Sequence, residues 1–434
     1  MSRRFFMRRP IFIAFCIMIS VSFIVTSFYT KEDYKNDKNC TIEMEGLVKN
    51  KVNKNNYVQY QIEDYLINDY SNKIDIKPGQ ILSFKGTLKK HENFKDEKFD
   101  YSRYLKSKGY KGIVEINDYK IIGDNFIYIK LFNIKDKISK TIKYLYKDKS
   151  KFINSIILGE KEGIDSEVNE IFSKTGVSHI LALSGLHVSI LITIIGFSFG
   201  KINNLLKFAF LAFILWSYSI MVGQSPSIIR AIVCSLISYL AIFVEKRSDS
   251  INNLSIVGIS LIINNPYVIY NISFQLSFLA TLSIIYFYGY INEKIKVKTL
   301  SLTLAANILT SPIVYLYFKN ISIVCIVSNI VVVPLLSIII YISILSAIVL
   351  PFSLILTKIM VGINTSIIDF IYMTLEFLYN INGSFIEFEN SNKILVIVYY
   401  ILVGIFMIYK EIKTIKEQRN ELQGYHQEHE QQRI

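Results

Sequence analysis

Apolar residues are unevenly distributed along this chain. From about 177 to 410 they come in long runs with few charges between them. From about 31 to 175 they alternate in short stretches with Lys, Asn and Asp. A helix needs roughly 20 apolar residues to cross a bilayer, and a helix satisfies its own backbone groups there. The runs predict spans at 178–199, 206–222, 227–244, 251–264, 270–289, 300–318, 321–350, 354–380 and 393–410. Pro334 interrupts the 321–350 run, which reads as one broken or two short segments. A further apolar run, Ile11–Phe28, follows Arg3, Arg4, Arg8 and Arg9. It exceeds the roughly 7–15 residues of a signal-peptide core, and no Ala-x-Ala site follows, so it reads as an uncleaved first span.

The intervening segment alternates with the period of strands. Thr41–Lys49, Tyr57–Tyr65, Gln80–Leu88 and Lys111–Ile116 are strand-like, separated by turn residues such as Lys77-Pro78-Gly79. Short strands so closely spaced predict a small barrel, OB-like, or another small β-sandwich. Residues 125–175 then take a helical period. Lys140, Lys143, Lys147 and Lys151 share one face, and Ile138, Ile142, Leu145 and Tyr146 much of the other. This basic amphipathic helix suits either a membrane surface or a polyanion. The fold class expected is therefore a mostly α membrane protein, a polytopic bundle of about 10 spans with a small extracytoplasmic β-barrel. The divisions are 1–30 (first span), 31–123 (OB-like domain), 124–176 (amphipathic connector), 177–410 (polytopic domain) and 411–434 (polar cytoplasmic tail).

Charge orients this scheme. The net charge of +13 is not in itself a nucleic-acid signal, because membrane proteins concentrate Lys and Arg in cytoplasmic loops. Lys201 and Lys207, Glu245-Lys246-Arg247, Lys294/Lys296/Lys298 and Lys410/Lys413/Lys416 fall on one side. The opposing loops around Gly223–Pro226 and Asn264–Tyr270 carry no charge. Both termini are thus expected in the cytoplasm and the barrel outside. The four cysteines, Cys16, Cys40, Cys234 and Cys325, are scattered. No disulfide is expected within the barrel domain, no spacing makes a metal site, and no cofactor is implied.

Polar residues inside the apolar runs carry the candidate chemistry, since ionisable groups in hydrocarbon usually face a bundle interior or a polar path. The first constellation is His179, Ser184, Gly185 and His187, with Gly185 marking a plausible helix break. The second is Gly223-Gln224-Ser225-Pro226-Ser227-Ile228-Ile229-Arg230, with Pro226 in a first helical turn and Ser225 as its cap. Arg230 meets no acidic residue in the early spans, so it either snorkels to the surface or waits for a mobile anion. The third is Gln275, alone among apolar neighbours and suited to interhelical bonding. Asn307, Thr310 and Pro312, then Asn329 and Pro334, are later polar breaks.

These runs resemble the ComEC family of DNA-internalisation competence proteins. The resemblance lies in HILALSGLHVSIL (179–191), GQSPSIIRA (223–231), NISFQLSFLATL (271–282), NILTSPIVYLYFKNIS (307–322) and SNIVVVPLLS (328–337). KPGQILSFKGTL (77–88) and FDYSRYLKSKGYKGIVEI (99–116) are similar to the family's OB-like region. Asn307 stands where a glutamine is usual, and Gln80 where an acidic residue is usual. The resemblance implies transport of single-stranded DNA across the cytoplasmic membrane during natural transformation. Its partners would be DNA, membrane lipid, a DNA receptor, a cytoplasmic motor and a separate nuclease. The residues matching its membrane motifs are His179, Ser184, Gly185, His187, Pro226, Arg230, Gln275, Thr310, Pro312, Asn329 and Pro334; the candidates for the DNA path are these without Pro312 and with Asn307. In the outer domain Lys85, Lys89, Lys90, Arg103 and Tyr101 are the candidate DNA contacts, with Tyr57, Tyr60, Tyr65 and Phe84 as further aromatics. Many family members carry a metallo-β-lactamase-like domain. The five histidines here, His91, His179, His187, His426 and His429, do not form its metal cluster, so the chain is not expected to be an enzyme.

Two other readings fit the residues. Ser184 and His187 are a nucleophile and a base, as in an intramembrane serine hydrolase, although three residues along one helix is a poor arrangement for proton transfer. A transporter of another anionic cargo keeps the same fold.

Overall fold

The computed structural model describes residues 9–33, 41–53, 57–70, 75–88, 95–96, 99–161, 163–181, 183–198, 204–243 and 248–431. Helix α1 (Pro10–Asp33) leads into a β region. Its strands are β1 (Thr41–Asn53), β2 (Val58–Ile62), β3 (Tyr65–Asp69), β4 (Gln80–Leu88), the two-residue β5 (Lys95–Asp96) and β6 (Phe99–Asp100), and β7 (Gly112–Asp124). Helix α2 (Tyr101–Ser107) precedes β7. Five strands close into a barrel in the order β1-β2-β3-β7-β4. β3 and β7 pair in parallel and the other neighbours antiparallel.

The barrel core holds Val48, Tyr60, Ile62, Ile67, Ile76, Leu82, Phe84 and Val114. The alternation along β4 turns Leu82 and Phe84 inward and leaves Lys85 outside. The run Tyr57–Tyr65 is not one strand. It turns at Glu63, whose φ is +46°, so that Ile62 pairs with Tyr65 across a two-residue hairpin. Glu63 holds that turn by accepting the Leu47 N–H at 3.0 Å and pairing with Lys49 at 2.7 Å. Gln80 Oε1 accepts the Lys77 N–H at 2.8 Å, so an amide supplies the acceptor that this turn needs.

Beyond the barrel the chain is almost wholly helical. The helices are α3 (Phe126–Tyr146), α4 (Ser150–Leu158), α5 (Ser166–Lys174), α6 (Ser178–Leu181), α7 (Gly185–Ser198), α8 (Asn204–Val222), α9 (Pro226–Phe243), α10 (Ser250–Asn264), α11 (Ile272–Ile295), α12 (Lys298–Phe318), α13 (Cys325–Val349), α14 (Leu354–Tyr379) and α15 (Lys393–Gln431). A short pair, β8 (Asn320–Ser322) and β9 (Phe385–Glu387), ties the start of α13 to the end of α14. Lys174 adds to that tie by binding Glu170 at 2.7 Å and Glu387 at 3.0 Å. Those hydrogen bonds, Glu170 first, hold its ammonium above the usual lysine range.

Among the described residues seven helices are long and apolar enough to cross a membrane: α1, α8, α11, α12, α13, α14 and α15. Gly185–Gly196, Pro226–Ala241 and Ser250–Asn264 are shorter apolar helices. The segment 321–350 is neither broken nor double. α13 runs unbroken through Pro334. A proline removes one backbone donor and crowds one turn, and a neighbour-supported helix tolerates that.

The basic amphipathic segment is part of the bundle and does not lie apart on a surface. Ile142 and Tyr146 of α3, and Phe152, Ile153 and Ile156 of α4, share one core with Val332, Leu336, Ile339 and Ile340 of α13 and Ile368, Ile371 and Leu375 of α14. Lys140, Lys143, Lys147 and Lys151 are all exposed, but they do not share one helix face: α3 carries Lys140 and Lys143 and ends at Tyr146, Lys147 breaks the helix at φ +45°, and Lys151 belongs to α4. A polar knot locks this hairpin in place. Asn364 Nδ2 donates to Tyr146 Oη (3.1 Å), Ser343 Oγ (2.9 Å) and the Ile339 carbonyl (3.3 Å). Tyr146 Oη also meets Ser346 Oγ at 2.9 Å. Lys149 pairs with Asp369 close by.

α1 packs along α10, with Phe12 and Phe15 in one core with Ile251, Leu254 and Val257. Arg9 pairs with Asp249 at 2.9 Å where both helices start. Ser22 and Thr26 bond Pro266 O (2.6 Å) and Tyr270 Oη (3.0 Å) where both end. Phe15 lies so close to Gly258 that any Cβ there would overlap its ring. Gly258→Ala is expected to cost about 1–3 kcal/mol by overpacking. Thermal unfolding in detergent, followed by gel filtration, would show it as a lower melting temperature.

The barrel docks through α2 onto the 3-10 turn Pro266–Tyr270. Asn265 and Asn271 donate to the Lys106 and Ser107 carbonyls at 2.8 and 3.1 Å, and Arg103 lies 4.8 Å over the Tyr270 ring. It therefore sits at the end of the α1–α10 pair opposite Arg9 and Asp249. α15 runs antiparallel to α12, since Tyr399 and Tyr400 donate to Ile308 O (2.9 Å) and Leu309 O (2.7 Å) while Asn392 N–H reaches Tyr315 Oη (2.9 Å). Lys410 then lies 5.9 Å over Tyr290, beside the end of α11 that carries Lys294 and Lys296.

Candidate functional site

The helix containing the first constellation is broken. α6 stops at Leu181 and α7 starts at Gly185, so Ser184 occupies the cap position. His187, three residues on, curls back and accepts the Ser184 N–H on Nδ1 at 3.0 Å. Ser-x-x-His here does what Ser-x-x-Glu does in a capping box, where the third helical residue returns to the cap's N–H. Ser184 Oγ is also 3.1 Å from Nδ1. The expectation that these two are badly placed assumed one continuous helix. The break brings them together. His187 is 3% exposed, and its Nε2 has no hydrogen-bond partner among the described residues.

Nδ1 already accepts a backbone N–H, and among the described residues no carboxylate orients the ring from Nε2. A nucleophile–base pair needs that third group. A serine-reactive phosphonate probe is expected to leave the protein unlabelled, with the Ser184→Ala variant as its reference. Labelling abolished by that substitution would establish a hydrolase.

α9 starts where the sequence predicts. Ser225 Oγ accepts the Ile228 N–H at 3.4 Å and Pro226 takes the first helical position. Arg230, one turn in, is only partly buried and points across to α7 and α11. A Cβ on Gly185 would lie 3.5 Å from its Nη2, an ordinary contact distance, so the guanidinium rests against the α7 start. Its Nε donates to Ser277 Oγ at 2.7 Å. Arg230 makes no ion pair among the described residues. Three runs distant in sequence thus meet at one guanidinium and one helix N-terminus. An N-terminus carries a partial positive charge, so this junction favours an anion.

The remaining candidates gather elsewhere. Cys325, at the start of α13, accepts Asn307 Nδ2 on its sulfur (3.4 Å) and Asn329 Nδ2 on its carbonyl (2.8 Å). Gly176, at φ +78°, lies against the Cys325 Cβ, where any side chain would collide. Thr310 bonds back to Ala306 O within its own helix. Gln275 spans from α11 to Ile269 O (2.7 Å) and Tyr317 Oη (3.4 Å) and so links helices. Two residues along a helix is about 200° of rotation, so Gln275 faces away from Ser277. His179 and Pro334 are exposed, and neither joins Arg230.

In the barrel, Lys85 is exposed and lies 3.7 Å from Glu43. Tyr101 is half-buried at the start of α2, and Arg103 is engaged in docking. Lys89 and Lys90 lie outside the described residues. Tyr60 and Phe84 are buried in the barrel core and cannot stack on a base. Tyr57 and Tyr70, with ring centroids 5.0 Å apart, are an accessible aromatic pair. Ser277 and Tyr70 were not singled out from sequence. Ser277 has one signal, as the second polar residue of FQLSF. Among the described residues no group of three His, Cys, Asp or Glu side chains could hold a metal.

The competence protein family profile matches residues 156–413. ComE operon protein 3 of Bacillus subtilis (strain 168) is 28% identical over 267 residues, covering 58% of this chain and 34% of that protein. An uncharacterized protein of Aquifex aeolicus (strain VF5) is 29% identical over 160 residues, covering 35% of this chain and 37% of that protein. The chain spans about a third of the length of each relative. No solved structure matches it. The matched region contains the α6–α7 break, Arg230 and Ser277, and bears out the resemblance read from the membrane runs.

Proposed function

The chain belongs to the competence protein family, and from that premise we propose that it carries one strand of DNA across the cytoplasmic membrane during transformation. The observation that carries the proposal is Arg230, a guanidinium without a carboxylate partner among the described residues, held by Ser277 beside the open start of α7. A resident anion would neutralise a structural arginine. One left for cargo binds each passing phosphodiester and lets it go.

In this reading the seven long helices and three shorter ones make about ten crossings. The end bearing Arg9, Lys294, Lys296 and Lys410 is cytoplasmic, by the positive-inside rule. The barrel, docked at the other end, receives the strand from outside. Lys85 and the Tyr57–Tyr70 pair supply charge and a stacking surface. Ser184, Gly185, Arg230 and Ser277 then form the polar junction within the membrane, and Asn307 and Asn329 line the path beyond. No phosphate-binding loop occurs in the sequence, and in this reading a separate motor supplies the driving force.

Deletion of the chromosomal copy in transformable cells, with complementation by the wild-type chain, tests this. Labelled DNA should reach a nuclease-protected state only in the complemented cells. Unchanged uptake in the deletion strain would remove DNA as the cargo.

A further inference from the structure

We propose that the outer face of α3, with the α13–α14 turn beside it, binds the headgroup of an anionic phospholipid. The core takes Ile138, Ile142, Leu145 and Tyr146 from one side of α3. Asn133, Lys137, Lys140 and Tyr144 lie opposite, spaced four, three and four residues apart, and so form one strip along the helix. They line a shallow depression with Asp136, Thr141 and Leu350, the last contributed by the α13–α14 turn. Lys140 is held by Asp136 at 2.6 Å, while Lys137 makes no ion pair among the described residues. The depression is therefore cationic overall, and Thr141 and Tyr144 are among its lining residues.

The turn that closes the depression is apolar. Phe352 is 85%, Leu354 60% and Ile355 76% exposed, and they follow Leu350 directly in the chain. Two chemistries thus stand side by side: the Lys137 ammonium, with the Lys140–Asp136 pair next to it, for a phosphate, and an uncovered apolar ledge. A phospholipid supplies both parts in one molecule. A nucleic-acid strand would satisfy the lysines and leave Phe352 and its neighbours in water. Lysines and tyrosines at the boundary of hydrocarbon and headgroup are common anchors, and basic pockets between helices take anionic headgroups. The inference is independent of what the protein transports.

The test uses the full chain in detergent, titrated with phosphatidylglycerol or phosphatidylcholine and read by native mass spectrometry. Phosphatidylglycerol should bind more tightly. Lys137→Gln and Lys140→Gln should each weaken it about fivefold, from roughly 1 kcal/mol per lysine near a membrane surface. Phosphatidylcholine binding should not change in either variant. Lys77→Gln, on an exposed barrel turn, should behave as wild type. Equal binding of the two lipids, or unchanged phosphatidylglycerol binding in both strip variants, would overturn the proposal. So would a loss of oligo(dT) binding in those variants with lipid binding intact, which would make the strip a nucleic-acid surface.

Discussion

Arg230→Ala should lower DNA uptake on the order of 100-fold while the protein still inserts and accumulates. The estimate follows from losing charge-assisted bonds of about 1.5–3 kcal/mol to each passing phosphate. Arg230→Lys separates charge from geometry. A lysine keeps the cation but has no guanidinium fork and cannot reproduce the Nε bond to Ser277. It should retain roughly a tenth of wild-type uptake. Ser277→Ala leaves the cation free to swing and should cost less than Arg230→Lys. If all three variants lose uptake equally and also fail to accumulate, the junction is structural and Arg230 has no part in transport. Immunoblotting of membranes beside the uptake assay distinguishes these results.

The second large effect lies in the knot. Asn364 is fully buried and its amide nitrogen donates to three acceptors on two other helices, Tyr146 on α3 and Ile339 and Ser343 on α13. Asn364→Leu removes the donor to Ser343 Oγ and the second donor to Ile339 O, and frees Tyr146 from α14. Hydrogen bonds between membrane helices average about 0.6 kcal/mol and reach about 1.7, so the loss should total about 2 kcal/mol. Tyr146→Phe should cost less, because Asn364 keeps two partners. The double variant should be less destabilised than the sum of the two, since both changes break the same bond. Thermal unfolding in detergent reads all three. An additive double variant would mean that Tyr146 and Asn364 do not act as one unit.

Much of this architecture could be read from the chain. Long apolar runs separated by charged loops announce helices, because hydrocarbon leaves the backbone few alternatives. β4 and the α9 start fall where the sequence predicts, the first because alternation was unbroken, the second because Ser225 and Pro226 have one natural position in a helix. The hairpin inside Tyr57–Tyr65 was hidden because Glu63 adopts a backbone conformation usually left to glycine or asparagine. α13 looked broken because Pro334 counts as a breaker when read locally, whereas packing by its neighbours outweighs one missing donor. The capping role of His187 was unreadable without knowing that the helix stops before Ser184.

The candidate site was legible in part. Arg230 and the Ser184–His187 run stood out because polar groups in apolar runs are rare. Their meeting, and the role of Ser277, depended on helix positions that no local pattern encodes. The same holds for Asn364, an amide in a long apolar run whose partners lie 218, 25 and 21 residues away.

The most direct test places a photo-cross-linking amino acid at position 277, or at the exposed position 345 on α13 as a reference, and irradiates cells importing labelled DNA. A covalent adduct between chain and strand at 277, absent at 345, is the expected result. Adducts at neither position, or equally at both, would mean that the strand does not pass the Arg230 junction.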